Sequence, residues 1–283
     1  MNDLIIIPTF DRPEFLWLCL ENLAEVFGDS QDIPVIWVCE DIHADKPKSF
    51  TIEMEYLAVH REWQQKLGYR YFGTSPHTTY GNSYNVLRAL HSAHMAHYRY
   101  TYLIEDDVLV TPDFFKWNES VHEIFKPWAS CAGRLNRSLN FAMNGPEAID
   151  ETIKDPGACR ASVTAYNSWA TCFSVEALKY IATLGGNYDG FKPGQEQDIL
   201  IQRFIRGAKQ TTIWPYLPRA YHMGWYSYHR DGGMKVYGTL EERVKAIRGI
   251  VKHQNKIKAV AGPQDIDAFP AKQPAQYTGL YLR

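Results

Sequence analysis

The sequence predicts an α/β fold: a mostly parallel central sheet flanked by helices, followed by an irregular second half. Two observations carry this. Short, nearly continuous apolar strands alternate with amphipathic helices as far as Ile104, the pattern of parallel strands buried on both faces. The sharpest polar residues fall where those strands end, at Thr9 to Arg12, at Glu40-Asp41 and at Glu105 to Asp107. In open α/β sheets, ligands bind beyond the carboxyl ends of the strands.

The elements follow in order. Leu4 to Pro8 is a short apolar strand. Pro13 opens a helix, because proline is tolerated in the first turn, and Phe15, Leu16, Leu20, Leu23 and Phe27 recur at helical spacing. Pro34 to Cys39 is the second strand, residues 51 to 67 a helix, and Tyr69 to Phe72 a short strand. Ser83 to His97 is a helix with Val86, Leu87, Leu90 and Met95 near one face, and Tyr100 to Ile104 the next strand. Residues 133 to 168 are rich in Asn, Gly, Ser and Pro and hold few clear elements; so long an irregular stretch is usually a functional loop. Trp169 to Val175 reads as a strand, Glu176 to Leu184 and Gln195 to Arg206 as helices, Thr211 to Tyr216 as a strand, and Leu240 to Lys258 as a helix.

Composition bounds the function. With 283 residues, 45% hydrophobic and 14% aromatic, the chain can build one large core. A net charge of -2 excludes a whole-chain nucleic-acid footprint. Cys19, Cys39, Cys131, Cys159 and Cys172 are dispersed without a CxxC pair, which argues for reduced thiols in a cytoplasmic setting. The first strand starts close to Met1, leaving no signal peptide, and no apolar run is long enough to be a transmembrane segment. Any membrane contact is therefore expected to be peripheral.

The densest signal is Glu105-Asp106-Asp107, set between the apolar runs Tyr102-Leu103-Ile104 and Val108-Leu109-Val110. Three adjacent carboxylates at the end of a buried strand need a positive partner. A hard divalent cation, Mn2+ or Mg2+, suits carboxylate oxygens. Glu105 lies closest to the buried strand and reads as support, and Asp107 as the direct ligand.

These residues resemble those of GT-A (Rossmann-like) glycosyltransferases, which use nucleotide-diphosphate sugars. Ile7-Pro8-Thr9-Phe10-Asp11-Arg12-Pro13 is similar to the opening strand and turn of glycosyltransferase family 2. Glu105-Asp106-Asp107 followed by Val110-Thr111-Pro112-Asp113-Phe114-Phe115 resembles the metal motif and following helix of N-acetylglucosaminyltransferase I. Gly194-Gln195-Glu196-Gln197-Asp198-Ile199 resembles the acidic helix start of galactosyltransferases and family 2 enzymes. The resemblance implies roles. Pro8, Thr9, Phe10 and Arg12 would border the base and ribose, and Asp41 would accept a hydrogen bond from the base, uracil by preference. Asp106 would face ribose or metal, Asp107 would ligate the metal, and His222 would complete the metal site. Asn82, Asn85 and Arg88, at the start of a helix, would reach the sugar or phosphate.

An inverting transferase needs a carboxylate base for the acceptor hydroxyl. Alignment on Gly194 and Ile199 places Glu196 there, whereas acid type favours Asp198. The two lie on different helix faces, and both stay open. Tyr221, Trp225, Tyr226 and Tyr228, with Gly224, Gly232 and Gly233, suit an aromatic lid. Arg134, Asn136 and Arg137 lie on the acceptor side.

The whole chain is expected to be one GT-A domain, with residues 1–130 for donor and metal, 131–238 for acceptor and base, and 239–283 as a basic helix and tail. That helix carries Arg243, Lys245, Arg248, Lys252, Lys256 and Lys258. It reads as a solvated face, with an anionic membrane surface or DNA as the alternatives. The resemblance implies a hexosyl- or N-acetylhexosaminyl-type enzyme with a glycan or lipid-linked precursor as acceptor. Transfer to a hydroxylated DNA base, a nucleotidyltransferase and a binding-only pseudoenzyme are the rival readings. The nucleotidyltransferase is disfavoured because Thr9-Phe10-Asp11-Arg12 lacks the glycine of a phosphate loop.

Overall fold

The computed structural model describes residues 3–30, 32–45, 47–74, 76, 83–133, 159–186, 197–215, 218–223 and 237–251. Its first half runs β1 (Leu4–Thr9), α1 (Pro13–Phe27), β2 (Val35–Glu40), α2 (Phe50–Leu67), β3 (Arg70–Gly73), α3 (Ser83–Met95) and β4 (Thr101–Ile104). Then come β5 (Val108–Val110), α4 (Phe114–Phe125), β6 (Ala129–Cys131), β7 (Cys159–Ser162), β8 (Ala170–Phe173) and α5 (Val175–Gly186). Helix α6 (Gln197–Ala208), β9 (Thr212–Pro215), β10 (Ala220–His222) and α7 (Leu240–Val251) follow.

Eight strands form one sheet in the order β3-β2-β1-β4-β8-β6-β9-β7. Strands β1 to β4 are mutually parallel. Strand β8 runs antiparallel to β4 and β6, β9 runs parallel to β6, and β7 closes the edge antiparallel to β9. The fold is thus α/β with a mostly parallel central sheet flanked by helices, as the strand–helix alternation requires.

Period-two alternation sorts the strands between two cores. In β1, Ile5 and Ile7 join Leu16 of α1, Tyr56 of α2 and Trp117 of α4. Leu4 and Ile6 join Val86 of α3, Ile181 of α5 and Ile205 of α6 on the opposite face. Local signals fix the helix ends. Pro13 starts α1, Ser49 caps α2 by accepting from the Ile52 amide, and Gly68 ends α2 in the left-handed region.

The structure refines the boundaries around the acidic triplet. Strand β4 stops at Ile104, and the residues after it form a turn into a separate strand, β5. Strand β5 pairs antiparallel with β10 in a second, two-stranded sheet. Asn22 of α1 fixes this arrangement. Its side-chain amide donates to the Val110 carbonyl at 3.1 Å and accepts from the Val110 amide at 2.7 Å. It thereby satisfies both polar backbone groups of a buried residue. The buried Arg219–Asp113 ion pair at 2.5 Å ties the approach of β10 to the start of α4. Strands β6 and β7 lie where the sequence showed no period, because they are three and four residues long.

Helix α7 packs Val244 and Ile247 against Phe15, Leu18 and Leu109. Arg243 donates to Glu55 at 2.6 Å and to Glu14 at 3.3 Å, and Arg248 to Glu21 at 2.8 Å. These two arginines are therefore engaged within the fold and α7 is docked by them, while Lys245 is exposed. Lys252, Lys256 and Lys258 lie outside the described residues. No helix among the described residues is long and apolar enough to cross a membrane.

Candidate active site

The turn between β1 and α1 begins the site. Asp11 adopts a left-handed backbone with φ of 51°, a conformation non-glycine residues rarely hold and one that Asp tolerates better than most. It is followed by Arg12, whose guanidinium reaches across to the acidic turn after β4. Arg12 Nη1 donates to Asp107 Oδ2 at 2.7 Å, and Nη2 donates to Asp106 Oδ1. Thr9 Oγ1 donates to the other oxygen, Asp106 Oδ2, at 2.7 Å. Tyr56 closes the network: its hydroxyl lies 2.8 Å from Thr9 Oγ1 and accepts from the Arg12 amide at 3.2 Å. Both Asp106 oxygens are thus engaged and the residue is fully buried.

Asp107 is held differently. Its carbonyl accepts from the Met223 amide at 2.6 Å, which sets β10 beside the turn. Its Oδ1 makes no hydrogen bond, although it is buried, and lies 3.3 Å from His222 Nε2. Trp169 stacks on the His222 ring at 4.5 Å between centroids and fixes its plane. Glu105 accepts from Ser168 Oγ at 2.8 Å, with its own amide bonded to the Trp169 carbonyl. Ligand atoms of Glu105, Asp107 and His222 all lie within 4.8 Å of one another. Glu105, read from sequence as support, thus lies in a candidate metal-ligating cluster with Asp107 and His222, while Asp106 faces Thr9 and Arg12.

The electrostatics separate the three acids. Burial, reinforced by Asp107, pushes Glu105 up to about 8. Burial also pushes Asp106 up to about 7, against the pull of Arg12. Burial acts on Asp107 too, but His222 and Arg12 together hold it below the usual carboxylate range. Asp107 is therefore the acid of the three held most firmly as the carboxylate in the metal-free site, and a bound cation would draw Glu105 into that form as well. Two carboxylates and an imidazole form an oxygen–nitrogen set suited to manganese or magnesium, the imidazole favouring manganese. The bare Asp107 oxygen supplies a direction for the bond, so the residues fit such an ion.

Beside this turn lies a cavity of about 710 Å³ above the ends of β1 and β2, lined by Phe10, Asp41, His43, Lys48, Tyr56 and Tyr71 among others. Asp41 is buried and lies 3.0 Å from His43 Nε2. Phe10 meets the His43 ring edge-on at 5.2 Å. Lys48 pairs with Glu40 and lies over the Tyr56 ring at 4.3 Å. Tyr56, His43 and Lys48 were not singled out in the sequence. Tyr56 alone left a trace, as one of the buried residues of α2 with Val59, Trp63 and Leu67.

The remaining expected residues fall in three places. Pro8 is buried within β1, in register with Cys39. Asn85 and Arg88 lie on the α3 side of the sheet and line a different cavity, and Asn85 donates to the Cys39 carbonyl at 2.7 Å. Asp198 is exposed in the first turn of α6, where its Oδ1 accepts from the Ile199 amide. Ser83 at the start of α3 accepts from the Gln197 amide at 2.9 Å, which brings the start of α6 to that of α3. Asn82, Glu196, Arg134, Asn136, Arg137 and the aromatic residues from Trp225 to Tyr228 lie outside the described residues.

An open sheet with acids and a cleft at its carboxyl edge is the GT-A glycosyltransferase architecture, and this chain has that fold. Among solved structures, the 1–349 fragment of S. aureus TarS in complex with UDP-GlcNAc aligns over 92% of this chain and 71% of that one, at 13% identity and a TM-score of 0.52. The galactosyltransferase LgtC, in complex with donor and acceptor sugar analogues, aligns over 87% of this chain and 95% of that one, at 12% identity and a TM-score of 0.46. No protein-family model matches the chain, and no curated protein does.

Proposed function

We propose that the chain is a metal-dependent glycosyltransferase that moves a hexose or N-acetylhexosamine from a UDP-sugar to a hydroxyl acceptor with inversion. The observation that carries this reading is the convergence of Glu105, Asp107 and His222 within 4.8 Å of one another, on the turn next to the 710 Å³ cavity. The TarS complex with UDP-GlcNAc, which shares the fold, supports the donor class. Asp107, His222 and Glu105 would hold a divalent cation, which would supply Lewis-acid stabilisation of the diphosphate leaving group.

The chain's own residues do the rest. Phe10, Asp41 and His43 form the wall that meets the base, with Asp41 as its acceptor. Thr9 and Arg12 hold Asp106 and set the turn that carries Asp107. In this reading residues 1–130 serve the donor and supply Glu105 and Asp107 to the metal, and residues 131–238 serve acceptor and base and add His222 to the metal site, in the manner of family 2 and of N-acetylglucosaminyltransferase I. Glu196, which precedes α6 in the sequence, or Asp198, in its first turn, takes the acceptor proton. The acceptor is a glycan or lipid-linked precursor.

A donor screen by thermal shift tests the reading, using UDP-, GDP-, TDP- and CMP-sugars with and without manganese. The expected result is a manganese-dependent stabilisation by a UDP-sugar that is absent in Asp107→Asn. No shift with any donor, or a shift untouched by Asp107→Asn, overturns it. For the base, one of Glu196→Gln and Asp198→Asn abolishes transfer while donor binding persists; normal turnover in both refutes the assignment.

A further inference from the structure

We propose that the groove between α3 and the edge strand β3 is a second binding site, one that takes a planar aromatic or heteroaromatic ring carrying a phosphate. The alternation of β2 and β3 separates it from the cavity beside the acidic turn. On β3, Tyr71 lines the first cavity, whereas Arg70 and Phe72 line the groove. On β2, Glu40 faces the first cavity and Trp37 and Cys39 face the groove. The two cavities therefore lie on opposite faces of the sheet.

The groove holds about 470 Å³, room for a small ring and its substituent. Its walls are aromatic. Phe72 is 43% exposed and meets the Trp37 ring edge-on at 5.3 Å. Tyr84 carries the Arg88 guanidinium 5.8 Å above its ring. Its charge is of one sign: Arg70 and Arg88 line it, and no acidic residue does so among the described residues. Neither arginine forms an ion pair with a described residue. Two exposed guanidinia beside flat rings match a phosphate attached to a ring, because arginine recognises phosphate with a planar fork and stacks on π faces.

The polar groups disfavour a sugar. Asn85 donates its amide to the Cys39 carbonyl, and Thr74 Oγ1 accepts from the Ile42 amide at 2.9 Å. With no carboxylate in the lining, a neutral glycan finds no charged acceptor there, and nothing in it would use the two guanidinia. A ring phosphate meets both arginines and both aromatic walls.

The test is calorimetric titration of the full chain with phenyl phosphate, using phenol and inorganic phosphate as the separated components. Arg70→Gln and Arg88→Gln are the groove variants; both side chains are exposed, and circular dichroism checks their folding. Tyr56→Phe is the variant of the other cavity. Saturable binding of phenyl phosphate is expected, at least about tenfold tighter than either component and weaker as salt is raised. Each arginine substitution weakens it about tenfold, and Tyr56→Phe leaves it unchanged. Absence of saturable binding, full affinity in both arginine variants, or a loss confined to Tyr56→Phe overturns the proposal.

Discussion

Replacing Arg12 by Ala removes the described guanidinium that is shared between Asp106 and Asp107. The Arg12 side chain is 13% exposed and its partners 0% and 3%, so this is a buried ion pair. Removing one partner of a buried pair costs about 3–5 kcal/mol, because the other charges stay buried without compensation. Asp106 already stands near 7, so it takes up a proton in the variant and relieves part of the repulsion. The loss therefore falls at the low end, about 3 kcal/mol. At about 2–4 °C per kcal/mol for a domain of this class, the melting temperature falls by roughly 6–12 °C. Scanning fluorimetry of the parent and Arg12→Ala measures it. The double variant Arg12→Ala with Asp106→Asn should recover part of the loss, since the amide is neutral without the cost of protonating a buried acid. An Arg12→Ala melting temperature within about 2 °C of the parent, or no recovery in the double variant, refutes the view that Arg12 is the counter-ion of the acidic turn.

Three further expectations follow from the same structure. Buried His122, 3.1 Å from Ser130 Oγ, is pushed down to about 4 by burial, so it folds neutral. The unfolded imidazole binds its proton first, so His122 contributes a loss of about 3 kcal/mol as the pH falls from about 6.5 towards 4. Because Glu40, Glu105 and Asp106 titrate with the opposite sign in the same window, the measurement is the difference in urea-unfolding stability between the parent and His122→Gln, which should move by about 3 kcal/mol against the parent across it. Asn22→Leu strands the Val110 amide and carbonyl and should cost about 2–4 kcal/mol in urea unfolding, with a weakened response to manganese because β5 loses its anchor. Tyr56→Phe removes the hydroxyl that meets Thr9 and the Arg12 amide, and should lower stability by about 1–2 kcal/mol while also weakening donor binding in the calorimeter.

The strand ends were the legible part of the site. Ile-rich and Val-rich runs break at Thr9, Glu40 and Ile104, so the sequence alone could place Thr9, Asp41 and the acidic triplet on one edge. What it could not show is partnership across distance. Arg12 lies 94 residues from Asp106, and nothing local in Asp11-Arg12-Pro13 announces that contact. The sequence reading divided the triplet into Glu105 as support, Asp106 toward ribose or metal and Asp107 as the ligand, and the turn between β4 and β5 is what sets which way each acid faces. That turn directs Glu105 and Asp107 toward His222 and hands Asp106 to Thr9. Asn85 and Arg88 were expected near the donor because the resemblance puts the start of this helix there. Helix α3 packs on the other face of the sheet, and its side chains go with it. Tyr56 carried only the buried stripe of α2, which reports packing and is silent about a hydroxyl.

The docking of α7 has a consequence for how the molecule comes into being. Arg243 meets Glu14 across 229 residues of chain, and Val244 and Ile247 cover Phe15 and Leu18. During synthesis from the amino terminus, α1 must wait, with an acid and two large apolar side chains uncovered, until nearly the last described residues have emerged. Contacts of such sequence separation slow folding. The helix that carries the Arg12 turn is therefore the earliest of the described helices to emerge and among the last to be finished, and a chain released before residue 240 would leave Phe15 and Leu18 without the cover of Val244 and Ile247.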